Sequence, residues 1–229
     1  MKNIKHVIVM GTLLMGTLHN AQAAVSGIKI TEWMYSPVGS VGEFVEFTNF
    51  SSTSLDLTGW SFDDNTRLPG SDSLSLFDSV AAGESVIITE ADANVFRTNW
   101  SLSSTVKVIG GISNNLGRSD EINLYNNTGA LIDRLTFNDQ GTGSVKSPRT
   151  QRVSGEAGSL SILGANNASL WVLSSVGDKE GSYTSIGGDI GSPGLTSFAT
   201  VATVPEPSTY AMLLAGLGFI GFTARRRKL

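Results

Sequence analysis

Cysteine is absent from this 229-residue chain, and its only two histidines, His6 and His19, lie near the N-terminus. Without cysteine there is no disulfide, so the fold must rest on an ordinary hydrophobic core. A body lacking both residues excludes a Ser-His-Asp triad, a cysteine nucleophile and the usual His or Cys sites for zinc. It also lacks the side chain that ordinarily exchanges protons near neutral pH. No serine sits in a Gly-x-Ser-x-Gly elbow, so that route to a nucleophile is missing too. Basic residues are scarce in the middle of the chain. Lys2 and Lys5 lie at one end, and Arg225, Arg226, Arg227 and Lys228 at the other, with Glu206 among the latter. Between them remain 10 basic and 19 acidic residues, a net charge near −9. Such a body argues against nucleic acid, whose binding is driven by neutralising phosphates. Simple solubility accounts for the acidity, and neither a cofactor nor a metal is expected.

The two ends carry the clearest patterns. Met1 to Ala23 has a positive start (Lys2, Lys5), an apolar middle from Val7 to Leu18, and the small-residue site Ala21-Gln22-Ala23. That is the layout of a secretory signal peptide cleaved after Ala23. Residues 24–199 then form the mature body, about the length of one hydrophobic core, and 200–204 a linker. Residues 205–229 run Pro205-Glu206-Pro207, an apolar stretch over 210–223, then Arg225-Arg226-Arg227-Lys228. The prolines break any preceding structure, and the basic cluster resists crossing a membrane. A helix of about 15 residues spans roughly 22 Å, short of the ~30 Å hydrocarbon core. The stretch therefore suits a short transmembrane helix that anchors temporarily.

This order at the C-terminus resembles the PEP-CTERM sorting signal of Gram-negative envelope proteins. The resemblance implies recognition of Pro205, Glu206, Pro207, Arg225, Arg226 and Arg227 by an exosortase, a membrane transpeptidase-like enzyme. It also implies passage through the inner membrane to the cell surface or extracellular matrix. Gly216-Leu217-Gly218-Phe219-Ile220-Gly221 fits a dinucleotide-binding pattern. Lying mid-helix in an apolar segment, it is better explained by small residues that let helices approach in lipid.

The body reads as all-β. Apolar and polar residues alternate over 27–33 and 43–49, placing Ile28, Ile30 and Glu32 on one parity, and Glu46 with Phe44 on another. Further short strands are expected at 59–62, 85–89, 105–109, 121–125 and 131–137, separated by Gly, Asn, Ser and Asp clusters. Asn126 to Gly129 marks a hairpin. Ala93, Phe96 and Trp100 share a face of one short helix over 92–100.

Three consecutive segments carry a second resemblance: Ile28-Lys29-Ile30-Thr31-Glu32, Gly42-Glu43-Phe44-Val45-Glu46-Phe47-Thr48-Asn49, and Asp56-Leu57-Thr58-Gly59-Trp60-Ser61-Phe62. Later come Ala82 to Ile88, Asp120 to Tyr125 with Leu131-Ile132-Asp133, then Gln151-Arg152-Val153, Leu170-Trp171 and Gly191 to Gly194. The order resembles the lamin-tail domain pattern over about 28–196. It implies an immunoglobulin-like β-sandwich used for binding and display, with no reaction attached. Phe47 stands where Leu is usual and Ala82 where Pro is common.

Glu32, Glu43 and Glu46 are the acids that a carboxylate-dependent polysaccharide hydrolase would use, since such enzymes flank the bond with two carboxylates. Strand parity sets Glu43 and Glu46 on different faces, and capping or solvated roles are the plainer reading. Asp63-Asp64-Asn65 offers hard oxygens for calcium in a calcium-stabilised adhesin. Three consecutive residues do not converge on one ion without an unusual turn, so a solvated turn is expected. Trp60 is expected in the core, while Trp33, Trp100 and Trp171 are less constrained. Lys146, Arg149 and Arg152 form one basic patch, for anionic polysaccharide or internal pairing, the latter favoured. The combined expectation is a non-enzymatic binding or structural module associated with exopolysaccharide or biofilm matrix.

Overall fold

The computed structural model describes residues 25–38, 41–148 and 150–199. The expected signal peptide, the sorting signal with its apolar stretch, and Arg149 lie outside the described residues. Within them the chain is mostly β-structure with one α-helix. In chain order the strands are β1 (Ile28–Met34), β2 (Phe44–Asn49), β3 (Leu55–Asp56), β4 (Ser61–Asp63), β5 (Asp72–Ser73), β6 (Ser79–Val80) and β7 (Ser85–Thr89). Helix α1 (Ala93–Asn99) follows, then β8 (Lys107–Gly110), β9 (Ser119–Tyr125), β10 (Leu131–Asn138), β11 (Gly155–Ala157), β12 (Trp171–Leu173), β13 (Tyr183–Thr184) and β14 (Ile190–Gly191). Among the described residues, no helix is long and apolar enough to cross a membrane.

Two sheets form a sandwich. The larger runs β12-β11-β1-β2-β7-β8 and the smaller β10-β9-β4-β5. All neighbours in the larger sheet are antiparallel except β7 and β8. That parallel pair needs a crossover, and α1 supplies it. The inner faces meet in one core. Ile28, Ile30, Trp33, Val45, Phe47, Val86 and Ile88 come from the larger sheet; Phe62, Ile122, Leu124, Leu135 and Phe137 come from the smaller. Trp33 stacks on Phe137 with ring centroids 4.2 Å apart. Burying each such side chain contributes about 1.5–3 kcal/mol.

A third layer covers the outer face of the larger sheet. Phe44, on the opposite parity from Val45, meets Phe96 and Trp100 of the α1 region edge-on. The helix begins at Asp92, whose Oδ1 accepts from Asn94 N and Val95 N, satisfying amides that the first turn leaves free. The hairpin β13–β14 lies beside it, with Tyr183 Oη donating to Trp100 O at 2.6 Å.

Turn chemistry follows the sequence closely. Trp60 N donates to Leu57 O across the Leu57-Thr58-Gly59-Trp60 turn, where Gly59 has φ +79°, a conformation only glycine adopts without strain. Leu57, fully buried, anchors this turn, while Trp60 is only partly buried. Asn126 Oδ1 accepts from Thr128 N and Ala130 N at the β9–β10 hairpin. Asn49, closing β2, is fully buried and donates through Nδ2 to Thr53 O and Val80 O.

Candidate functional site

Glu32 and Glu46, two of the three acids singled out for acid–base chemistry, stand directly opposite each other on β1 and β2. Simple alternation places Glu32 with Ile28 and Ile30 on the core face. The structure departs from this at one point: the β1–β2 register shifts between Ile30 and Glu32. An extra residue in one strand re-aims the side chains beyond it. Trp33 therefore takes the core face, and both Thr31 and Glu32 turn outward beneath the third layer. On the other side of β1, Glu156 of β11 is the register partner of Glu32. Three glutamates thus form a row across three neighbouring strands.

The row is closed to solvent. Glu46 is 0% exposed, Glu32 2% and Glu156 6%. Hydroxyls and amides serve its oxygens. Thr31 Oγ1 donates to Glu46 Oε1 at 2.5 Å, and Gly194 N donates to Glu46 Oε2 at 2.6 Å. Glu32 Oε1 accepts from Ser154 Oγ and from Ser192 N, the latter at 2.8 Å. Glu156 Oε2 accepts from Ser174 Oγ and Ser182 Oγ. Among the described residues, none of the ion pairs reaches any of the three. Burial therefore dominates their titration. It lifts Glu46 to about 7 against the hydrogen bonds from Thr31 and Gly194. It lifts Glu156 to about 7 as well, reinforced by Asp178. Glu32 is pushed well above the ordinary carboxylate range by burial and then by Glu46. In-register carboxylates without a cation cannot all ionise cheaply, so protons are retained in the row.

Glu43 does not join it. It precedes β2, and its Oε2 accepts from Leu116 N at 2.5 Å. Burial lifts it to about 8, opposed by that amide and reinforced by Glu90 and Asp120.

The other sequence candidates resolve individually. Asp63 is not part of a solvated turn: it is 0% exposed. Its carboxylate accepts from Thr66 Oγ1 and from Leu68 N at 2.8 Å, and so organises the loop after β4. Asp64 Oδ1 accepts from Thr66 N. Trp60, expected in the core, is only partly buried against it. Trp33, Trp100 and Trp171 are buried, and Trp60 is the most accessible. Of the basic patch, Arg152 pairs internally, with Nε 3.9 Å from Asp189 Oδ1 and a guanidinium bond to Gly187 O at 2.7 Å.

Sequence reasoning passed over Glu156 and the outer face of the smaller sheet. Gly155-Glu156-Ala157 is too short for a period of two to show. On the smaller sheet, Glu121 accepts two bonds from Arg67, at 2.6 and 2.8 Å, and one from Thr136 Oγ1, with Arg134 Nε 3.6 Å away. The Arg67 fork holds Glu121 down at about 2. Beside it opens a cavity of about 280 Å³ lined by Asn65, Ser119, Asp120, Glu121, Thr136 and Asn138, among others.

These features define an all-β sandwich with a buried acidic row and a third layer closing over it. A family model of the lamin tail domain matches residues 21–139, just over half of the chain. The chain belongs to the lamin tail domain family. The match covers β1 to β10, including Glu32 and Glu46; β11, which supplies Glu156 and pairs with β1, lies beyond it. A second model, the PEP-CTERM protein-sorting motif, matches residues 203–228. It contains Pro205, Glu206, Pro207 and the arginines 225–227. That motif implies recognition by an exosortase-type sorting enzyme and export with transient membrane association. No curated protein matches the chain.

Proposed function

We propose that this chain is an exported surface or matrix component, a non-enzymatic binding or structural module built on an immunoglobulin-like sandwich. Its signal peptide is removed after Ala23, the apolar stretch 210–223 holds it briefly in the inner membrane, and an exosortase then releases it outward. The observation that carries this reading is the sorting motif over 203–228 following a β-sandwich body. The acids offer further support. A polysaccharide hydrolase needs two carboxylates facing a bond in an open cleft, and the paired Glu32 and Glu46 are sealed instead. For exopolysaccharide, the cavity on the smaller sheet, lined also by Phe137 and Val145, presents Asn65, Ser119, Thr136 and Asn138, groups that hydrogen-bond hydroxyls.

The test is mass spectrometry of cell fractions with and without the sorting enzyme. The expected result is a chain beginning at Ala24, truncated near Pro205, and found outside the inner membrane only when the enzyme is present. An intact tail retained in the inner membrane in both strains would overturn the export reading. Co-sedimentation with isolated matrix polysaccharide, without release of new reducing ends, is expected of the binding module. Reducing ends that vanish in a Glu46→Gln variant would make it a hydrolase.

A further inference from the structure

The last described stretch before the sorting tail, Ser192 to Phe198, is held to the sandwich in an unusual way. Its backbone amides that reach other parts of the fold end on carboxylates. Ser192 N donates to Glu32 at 2.8 Å, Gly194 N to Glu46 at 2.6 Å, and Ser197 N to Glu180 at 2.6 Å. Its hydroxyls do the same, Ser192 Oγ reaching Glu32, and Thr196 Oγ1 and Ser197 Oγ reaching Glu180. The other amide bonds of the stretch are internal, as from Leu195 N to Ser192 O. Phe198 adds apolar support, packing partly buried against the core and under the Lys179 ammonium, 4.2 Å from the ring centroid. By contrast, the hairpin just before it is tied by backbone bonds, Ile190 N to Arg152 O and Ser154 N to Ile190 O.

We infer that Ser192–Phe198 is a proton-gated strap: it lies closed while the Glu32–Glu46–Glu156 row keeps its shared protons, and it lifts when the row ionises fully. The reason is geometric. Register places Glu32 between Glu46 and Glu156, and the strap amides sit on the buried oxygens of Glu32 and Glu46. A protonated carboxyl still accepts the strap amides through its carbonyl oxygen. With the proton gone, adjacent buried charges repel, and lifting the strap lets water solvate them. The surrounding charged groups do not relieve this. Asp178 and Glu180 add negative charge from the segment after β12, and Tyr183 of β13 is itself pushed up to about 12 by burial and then Glu32. Of the cations on that side, Lys179 is stacked on Phe198 and Arg152 faces Asp189.

The direction follows from linkage. Glu46 and Glu156 titrate near 7 when closed in and near 4.5 when exposed. Closure is therefore favoured as pH falls through this window, and lifting as it rises. The strap runs into linker 200–204 and the sorting motif. Its state sets how much free chain separates the sandwich from the membrane stretch, whatever the exported module binds.

Amide hydrogen exchange of the full-length chain in detergent, corrected for intrinsic rates, tests the strap between pH 5 and 8.5. Protection of peptides covering Ser192–Phe198 is expected to fall about tenfold per pH unit for each proton lost as pH rises toward 7, and to level off only once Glu32 has ionised as well. Protection in β9 and β10, which reports global unfolding, should stay well above that of the strap at every pH. Glu46→Gln, which keeps an acceptor for Gly194 N, should flatten the strap profile. If that variant does not fold, the comparison of the strap with β9–β10 in the unmodified chain decides alone. A strap whose protection is independent of pH, or equals that of β9 and β10 throughout, overturns the inference. So does an unchanged slope in a folded Glu46→Gln protein.

Discussion

Glu121 and Glu46 are the same residue type on the outer faces of the two sheets of one sandwich, yet they titrate in opposite directions. Both are nearly inaccessible. Glu121 has the Arg67 fork, Arg134 nearby and the Thr136 hydroxyl, and is held at about 2. Glu46 has hydroxyls and one amide but no cation, and burial lifts it to about 7. Hydrogen bonds alone do not offset desolvation; a guanidinium at bonding distance does. The difference also divides the molecule by task. The smaller sheet's outer face is a fixed ionic surface, whereas the larger sheet's outer face stores protons beneath a cover.

The largest expected effect is on the pH dependence of folding, where the two faces pull apart. Glu121 has a folded value below its unfolded one, so its contribution is complete above about 4.5 and fades as pH falls toward 2. The row has folded values above the unfolded one. Its penalty is absent below about 4.5, grows to about 7 as Glu46 and Glu156 ionise, and grows further as Glu32 follows. The thermal midpoint should therefore peak near pH 4.5–5 and fall steadily toward pH 8. A midpoint that is highest at pH 7 to 8 would refute the assignment of the row.

Single substitutions sharpen the same contrast. Glu121→Ala leaves Arg67, Arg134 and Asn123 without their shared acceptor. It should cost about 2 kcal/mol above pH 5 and much less at pH 2.5, measured by denaturant midpoints; Arg67, half exposed, keeps the loss moderate. Glu46→Gln should act with the opposite sign, stabilising by about 1–2 kcal/mol at pH 8 and by almost nothing at pH 4.5. The hydroxyls of Thr31, Thr48 and Ser85 form one chain beside Glu46. They can rotate to accept from the new amide while its carbonyl takes Gly194 N.

Much of the sandwich was legible because its long strands alternate and its turns carry turn residues. Expected strands at 43–49, 85–89, 121–125 and 131–137 correspond to β2, β7, β9 and β10, and the expected helix to α1. The five two-residue strands were beyond reach, since two residues show no period. The site was harder. Glu32 and Glu46 stood out by residue type, but their meeting depends on one extra residue in β1, and alternation predicts the opposite face for Glu32. The strap depends on contacts 148 and 160 residues apart in the chain, Gly194 to Glu46 and Ser192 to Glu32. No local pattern marks a serine or glycine as the donor to a distant acid. The same holds for Asp63, whose neighbours read as a solvated turn although its own carboxylate is fully buried.

Salt separates the two faces with the smallest expected effect. Screening reaches exposed charges and leaves buried ones nearly untouched, the Debye length falling from about 10 Å at 0.1 M to 3 Å at 1 M. Arg67 is 55% exposed, so its attraction to Glu121 is open to the solvent ions. The Glu32–Glu46 repulsion lies under the strap, where ions enter only after it lifts. Raising salt from 0.1 to 1 M should thus remove a few tenths of a kcal/mol from the effect of Glu121→Ala at pH 7. The stabilisation by Glu46→Gln at pH 6, where the strap still lies closed, should stay unchanged within error. Chloride is the appropriate anion, because sulfate strengthens apolar burial in every variant and would mask so small a difference. If salt erased the Glu46→Gln effect instead, the row would be open to solvent in the folded protein, and the distinction between its two faces would fail.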